Sequence, residues 1–282
     1  ASIRLAEQCE QELRESHLGK PVVRHESMPG GRIPNAELLE KVLEDGDVIG
    51  TICGDGTFRD LAISAGNTPI TSLRGGNSRD IGQALHGHRR NAPPSRIIRD
   101  SVAIPAYAMS CTITSGETIQ TEHAISYIGC GETARASDAV NSQSYRNARP
   151  GMRRDLRVGI GSLCSDFWFD VVDNEGEERR LSDLTCIKGP RMAKLGKFPV
   201  KHWEKLIRVA PVEEGFAAKL LAAGGMVIGH TAGLYYDRPY SFMPLTHVSM
   251  HFDGEPPLPV TPHSTVRVTL APNPYTVLTT MT

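Results

Sequence analysis

Three short stretches hold side chains that could do chemistry together. The first is Cys53-Gly54-Asp55-Gly56-Thr57, an acid between two glycines. Glycines let a backbone approach a ligand with no Cβ in the way. The amides of such a turn, and of a helix that follows it, can hold phosphate oxygens. The acid cannot sit against phosphate unless a cation or a hydroxyl proton lies between them. That chemistry calls for a nucleotide with a metal, or for a substrate hydroxyl. A tight turn with a solvated aspartate explains the same five residues, so taken alone they decide nothing. The second stretch is another glycine loop, Arg74-Gly75-Gly76-Asn77-Ser78-Arg79-Asp80. The third is Asp253-Gly254-Glu255, with two carboxylates close in sequence.

Patterned elements must position these residues. The apolar run Asp47–Cys53 leads into the first glycine turn, and Phe58, Leu61, Ala62 and Ala65 then recur at helical spacing. This predicts strand, glycine turn, helix. Pro69–Leu73 predicts a second strand entering the second loop, and Ile81, Ala84 and Leu85 begin a helix after it. Two strand–loop–helix units in succession imply a parallel sheet with ligands at the carboxyl ends of its strands. Neither loop contains G-x-G-x-x-G, so a dinucleotide-binding Rossmann domain is not favoured. Upstream, residues 1–18 read as a helix ended by Gly19, Pro21–His25 as a short strand, and Asn35 as the cap of a helix carrying Leu38, Leu39, Val42 and Leu43.

Asn91-Ala92-Pro93-Pro94-Ser95 reads as a linker, which sets an α/β domain at 1–95 and a second domain at 96–282. Past it the texture turns to strands. Tyr107–Thr114 and Thr118–Ile128 flank Ser115-Gly116, and Phe167–Val172 and Glu178–Leu181 flank Asn174-Glu175-Gly176, as two hairpins. Leu245–Phe252 and Thr265–Leu270 add strands, and a helix over Val212–Ala223 is expected to end at Gly224-Gly225, with Glu213 and Glu214 in its first turn. The second domain is thus predicted as an antiparallel sandwich.

The bulk properties exclude some classes. A net charge of −1 over 282 residues lacks the basic footprint of a nucleic-acid binder. The six cysteines show no C-x-x-C spacing, so a zinc site is not expected and free thiols in a reducing compartment are. No apolar run reaches the roughly 18 residues of a membrane span, and no signal peptide is evident. A cytoplasmic protein is expected, with membrane contact at most peripheral.

The order and spacing of CGDGTFRDLA at 53–62, LRGGNSRDIGQAL at 73–85 and MHFDGEPPLPV at 250–260 resemble the diacylglycerol kinase catalytic family, which includes bacterial lipid kinases and sphingosine kinases and is related to NAD kinases. Cys186–Met192 resembles a strand-end segment of that family, with Lys188 where asparagine is commoner. The resemblance spans nearly the whole chain. It implies an ATP- and Mg2+-dependent phosphotransferase acting on a hydroxyl of a lipid-like acceptor. Gly54, Asp55, Gly56 and Thr57 would line the phosphate site, and Gly75, Gly76, Asn77, Arg79 and Asp80 the neighbouring loop. Asp253 matches the proposed general base with Glu255 beside it, while the NAD kinase analogy gives Asp55 the contact to the acceptor hydroxyl.

The sequence departs from the family pattern at Cys53 and Arg79, and the family's first strand with its phosphate loop is not found at the expected place. Two alternatives therefore stay open: an NAD kinase-like or other small-molecule kinase, and a nucleotide- or lipid-binding regulatory protein without turnover. The oligomeric state is open as well. His86, His88 and His123 read as structural, and His247, His251 and His263 as residues sharing a strand near Asp253. Arg146, Arg149, Arg153, Arg154 and Arg157 read as a solvated or membrane-facing run.

Overall fold

Short apolar strands followed by glycine turns build the first part of the chain as expected. A computed structural model describes residues 2–16, 22–26, 32–73, 80–142, 144–145, 152–192, 196–198, 200–229, 234–236 and 238–281. The chain divides into two compact units, Ala1–Tyr107 with Pro272–Thr282, and Ala108–Ala271. The expected boundary at 95/96 thus falls inside the first unit. The chain there is not a linker, because Pro93 and Pro94 open a helix instead. Proline suits a first helical turn, where its missing N–H would have no partner.

In the first unit, helices α1 (Ser2–Glu15) and α2 (Arg32–Val42) precede strand β1 (Ile49–Thr51). Then come α3 (Asp55–Ala65), β2 (Ile70–Ser72), α4 (Asp80–His86), α5 (Pro94–Asp100) and β3 (Val102–Ala106). Strands β1 and β2 are parallel, with Ile49 opposite Ile70. Helix α3 crosses between them and buries Phe58, Leu61, Ala62 and Ala65, the residues that carried the helical spacing. The chain's last strand, β17 (Tyr275–Thr279), lies parallel to β2 and antiparallel to β3, giving the order β1-β2-β17-β3. The sheet is therefore parallel except at its β3 edge. Residues 22–26 form neither helix nor strand. Asn35 lies inside α2 and is buried rather than capping it, since α2 already starts at Arg32 and carries Pro34 in its first turn.

The second unit is rich in antiparallel strands, as predicted. They are β4 (Met109–Ser115), β5 (Thr118–Ala124), β6 (Tyr127–Gly131), β7 (Phe169–Val172), β8 (Glu178–Ile187), β9 (Arg191–Met192), β10 (Gly196–Lys197) and β11 (Ile207–Glu213), then β12 (Leu234–Tyr236), β13 (Tyr240–Pro244), β14 (Val248–Phe252), β15 (Leu258–Val260) and β16 (Thr265–Leu270). Both predicted hairpins form, as β4–β5 and β7–β8. One continuous sheet runs β15-β14-β6-β8-β7-β13-β16-β4-β5 and curls so that distant strands share a core. Met109 and Cys111 of β4, Phe169 of β7, Leu184 of β8, Met250 of β14 and Val266 of β16 all belong to that core.

Helices α6 (Glu132–Asn141), α7 (Met152–Leu163) and α8 (Phe216–Ile228) accompany the sheet. Gly131 joins β6 to α6 at φ 99°, and a side chain there would meet the Ser182 carbonyl at 2.5 Å. The predicted helix at 212–223 is displaced: Glu213 ends strand β11, and Gly224-Gly225 lie within α8. The helix stops instead at Gly229, which takes the left-handed conformation of a C-cap. Two successive glycines signal a stop only when nothing holds the helix, and α8 packs along β10 and β11.

Candidate active site

In the first unit, β1 ends at Thr51 and the chain turns through Cys53 and Gly54 into α3. Gly54 is the N-cap, extended at φ −79° and ψ 167°, and its carbonyl accepts the Phe58 amide at 3.0 Å. The first amides of a helix have no intrahelical partner, so this 11-residue helix presents donors at the end of β1. Asp55 is the first helical residue, and its carboxylate reaches the start of α4. Oδ2 accepts the Asp80 amide at 3.3 Å, and Oδ1 accepts the Ile81 amide at 3.4 Å. The two acids that flank the glycine loops in sequence are thereby joined, with Asp80 buried. Gly56 is buried and Thr57 half-buried beside them. Gly75, Gly76, Asn77 and Arg79 lie outside the described residues.

Cys53, which stands at the first position of the turn, is no nucleophile. Burial pushes its thiol up to about 12, and Asp55 and Asp60 push the same way, so it stays protonated. Asp60 pairs with the adjacent Arg59 at 2.7 Å.

In the second unit, Asp253 caps the turn from β14 to β15. It is 6% exposed and sits in the left-handed region at φ 52°. Its Oδ2 accepts the Ile125 amide at 2.8 Å, and its Oδ1 accepts the amides of Ser126 and Tyr127 at 2.9 and 3.0 Å. The Asp253 amide donates back to the Tyr127 carbonyl at 3.0 Å. This clamp breaks the single strand expected at 118–128 into β5 and β6, because three amides that would have joined a ladder turn to one carboxylate instead. Through these three bonds the Asp253 carboxylate positions residues 125–127. Glu255 is half-buried, and its carboxylate makes no hydrogen bond or ion pair with a described residue. Its carbonyl accepts from Ser137, and Asn141 donates to the Gly254 carbonyl at 2.9 Å, so α6 holds the turn from behind.

A group that the motifs did not single out surrounds the same segment. The amides of Lys188 and Gly189 both donate to the Ser126 carbonyl. The Lys188 side chain is fully buried, and its Nζ donates to the carbonyls of Lys201 and His202 at 3.2 and 2.7 Å. Burial lowers its ammonium to about 8. His202 shares a hydrogen bond with the Ile125 carbonyl at 3.0 Å through Nδ1, while its Nε2 is buried without a partner. His251 is buried with both ring nitrogens unpartnered, its ring 5.4 Å from that of Tyr127. Burial drives both imidazoles down, to about 3 for His202 and about 4 for His251. His247 and His263 are exposed. Only the resemblance had marked Lys188; nothing in local sequence marked His202, because its partners lie far away in the chain.

Among the described residues, no group of three or more His, Cys, Asp or Glu stands together as a metal site. A nucleotide-borne Mg2+ asks for less, one or two carboxylates beside phosphate oxygens. Asp55 at the end of β1 is of the right type for that.

A solved structure of a provisionally assigned diacylglycerol kinase from Bacillus anthracis matches this chain over 95% of its length and 88% of its own, with TM-score 0.68 and 15% identity. A second from the same organism, described as a diacylglycerol kinase, matches over 95% and 88% with TM-score 0.64 and 14% identity. The chain shares the diacylglycerol kinase fold. At such identities the likeness establishes fold alone. Yeast NADH kinase in complex with NADH aligns over 83% of this chain and 61% of its own at TM-score 0.46, too weakly to bear on the fold. No family profile matches the sequence, and no curated protein does.

Proposed function

We propose that this chain is an ATP-dependent kinase that transfers a phosphoryl group to a hydroxyl of a lipid-like acceptor. One observation carries the reading: the Asp55 carboxylate, at the glycine turn ending β1, is held on the amides that open α4. The diacylglycerol kinase-like fold supports it. Phosphoryl transfer needs positioning, charge neutralisation and an acceptor for the hydroxyl proton. Gly54, Gly56 and Thr57 would bring backbone amides to the phosphates, with Gly75, Gly76, Asn77, Arg79 and Asp80 along the adjoining loop. Mg2+ bound with the nucleotide would neutralise phosphate charge, and Asp55 is the residue that would hold it. We assign proton acceptance to Glu255 and positioning of residues 125–127 to Asp253.

Labelled ATP offered with a panel of acceptors tests this. Label in a chloroform-soluble product is the expected result. Label confined to water-soluble products would replace the lipid acceptor by a small polar one. Glu255→Gln should lower kcat by ~10²-fold or more with an unchanged melting temperature. Asp55→Ala should lower kcat as far while also lowering the melting temperature, since it removes the acceptor of two α4 amides. Asp253→Asn should lower the melting temperature, because it leaves one acceptor oxygen for three backbone donors and turns an NH2 towards at least one of them.

A second reading is favoured by the same clamp. With three backbone amides on the Asp253 carboxylate, a nucleotide-binding protein without turnover fits as well. Nucleotide binding by calorimetry with no transfer to any acceptor would establish that reading, and measurable turnover would remove it.

A further inference from the structure

Helix α8 is turned inside out. Its exposed stripe carries Phe216 (58% exposed), Leu220 (50%), Leu221 (77%), Val227 (47%) and Ile228 (74%), with Ala217 and Gly224 filling the gaps. Five of the 13 large hydrophobic side chains exposed among the described residues sit on this one helix. Its single charged residue, Lys219, points the other way. That ammonium is buried, paired with Glu132 at 3.3 Å and bonded to the Ser165 carbonyl. The helix is thus fixed in this orientation, and it cannot hide its apolar stripe by rolling over. Ile160 of α7, which packs against α8, is a further half-exposed apolar side chain.

The surroundings indicate what covers the stripe. The acids ahead of the helix are neutralised: Glu213 is paired with Arg179, and Glu214 with Arg180 at 3.9 Å. Arg180 also lies 3.9 Å over the ring of Trp168, an indole that is 39% exposed. At the other end, Lys197 of β10 stands beside Gly229. Lys197 and Arg157 of α7 are exposed, and neither has an acidic partner among the described residues. The unpaired charge on described side chains of the elements packed against α8 is therefore positive. The stripe itself has no side-chain donor or acceptor, whereas a protein partner is ordinarily held in register by about one hydrogen bond per 100–200 Å². A bilayer needs none. At about 1.5 Å per residue the helix spans roughly 20 Å, too short to cross a hydrocarbon core of about 30 Å. It is suited to lie in the plane of the interface.

We propose that α8 is a membrane-docking helix. Phe216, Leu220, Leu221, Val227 and Ile228 enter the acyl boundary of an anionic bilayer, and Arg157 and Lys197 face its headgroups. The proposal goes beyond the kinase reading and does not rest on it. Co-sedimentation with vesicles of equal parts phosphatidylcholine and phosphatidylglycerol tests it on the full chain. The wild-type protein should pellet with the vesicles, and less so as salt is raised. The double variant Leu221→Asp, Ile228→Asp should lower the partition coefficient about tenfold or more, and Lys197→Gln about fivefold. Both aspartates would replace exposed side chains, so the melting temperature should hold. If that variant misfolds, Leu221→Ser gives the same comparison. Wild-type protein left in the supernatant overturns the proposal, as does a folded variant that pellets like the wild type. A wild-type dimer in sedimentation velocity that the variant splits into monomers also overturns it and assigns the stripe to a second copy. Nucleotide binding by calorimetry should be the same in wild type and variant, which separates this outcome from the kinase reading.

Discussion

Three histidines are folded in their neutral form, and that choice has a pH signature. His86, His202 and His251 are 1%, 2% and 3% exposed, and burial lowers them to about 4, 3 and 4. In the unfolded chain each would titrate near 6.5. Below that pH the unfolded chain takes up protons that the folded chain refuses, so stability is full above about 6.5 and is lost as pH falls towards 4. Asp183 works in the opposite direction. Burial raises its carboxyl to about 6, so between there and its ordinary value it takes a proton first in the folded state. Three histidines against one aspartate leave a net loss of up to about 3 kcal/mol per pH unit in that window. A melting temperature that falls steeply from pH 6.5 to 4.5 is expected, and a flat profile would contradict the neutral burial. None of this was legible in the sequence, where His86 read as structural, His251 as strand-sharing, and His202 went unmarked. Imidazole burial depends on what packs over the ring from elsewhere in the chain. The Asp253 clamp was half legible: an Asp-Gly turn was plain, but its partners 125–127 are more than a hundred residues away.

At the scale of elements, the pairing of β14 with β6 is what fits His251 into the core. His251 stands opposite Gly129 across the ladder, where a side chain would collide with its ring and with Thr133 Oγ1. Thr133 Oγ1 in turn donates to Asp183 at 2.8 Å, so neither neighbour can retreat freely. Gly129→Ala should cost about 1–3 kcal/mol, the usual penalty for overpacking, and His251→Ala in the same chain should recover part of it. A double-mutant cycle by urea denaturation reads both, and strictly additive losses would show that the ring and the glycine are not coupled. Elements with their own periodicity were legible in advance, among them α3, the β4–β5 hairpin and the β7–β8 hairpin. Displaced boundaries arose where tertiary packing outweighed local signals. The glycine pair at 224–225 lies within a helix held by its neighbours, and Pro93-Pro94 starts a helix rather than a linker.

On the scale of the whole molecule, the two-part architecture was visible as a change of texture, but its real division was not. The chain returns to its first unit at the end, and β17 lies between β2 and β3 with Val277 opposite both Ile70 and Ile104. No periodicity announces which sheet a late strand will join. A fragment of residues 1–107 would lack that interior strand, whereas 108–271 holds every strand of its own sheet. Expressed separately, the first fragment should show no cooperative thermal transition and the second should show one; a sharp transition in 1–107 would deny β17 its part in the sheet. The same placement sets an order of events during synthesis. The glycine turn after β1 leaves the ribosome early, yet the sheet it belongs to cannot close until the whole second unit has been translated. At about 5–20 residues per second, that leaves β2 and β3 waiting on the order of ten to thirty seconds with their inner edges unpaired. For that interval the nascent chain is a natural client for a chaperone that shields open strand edges.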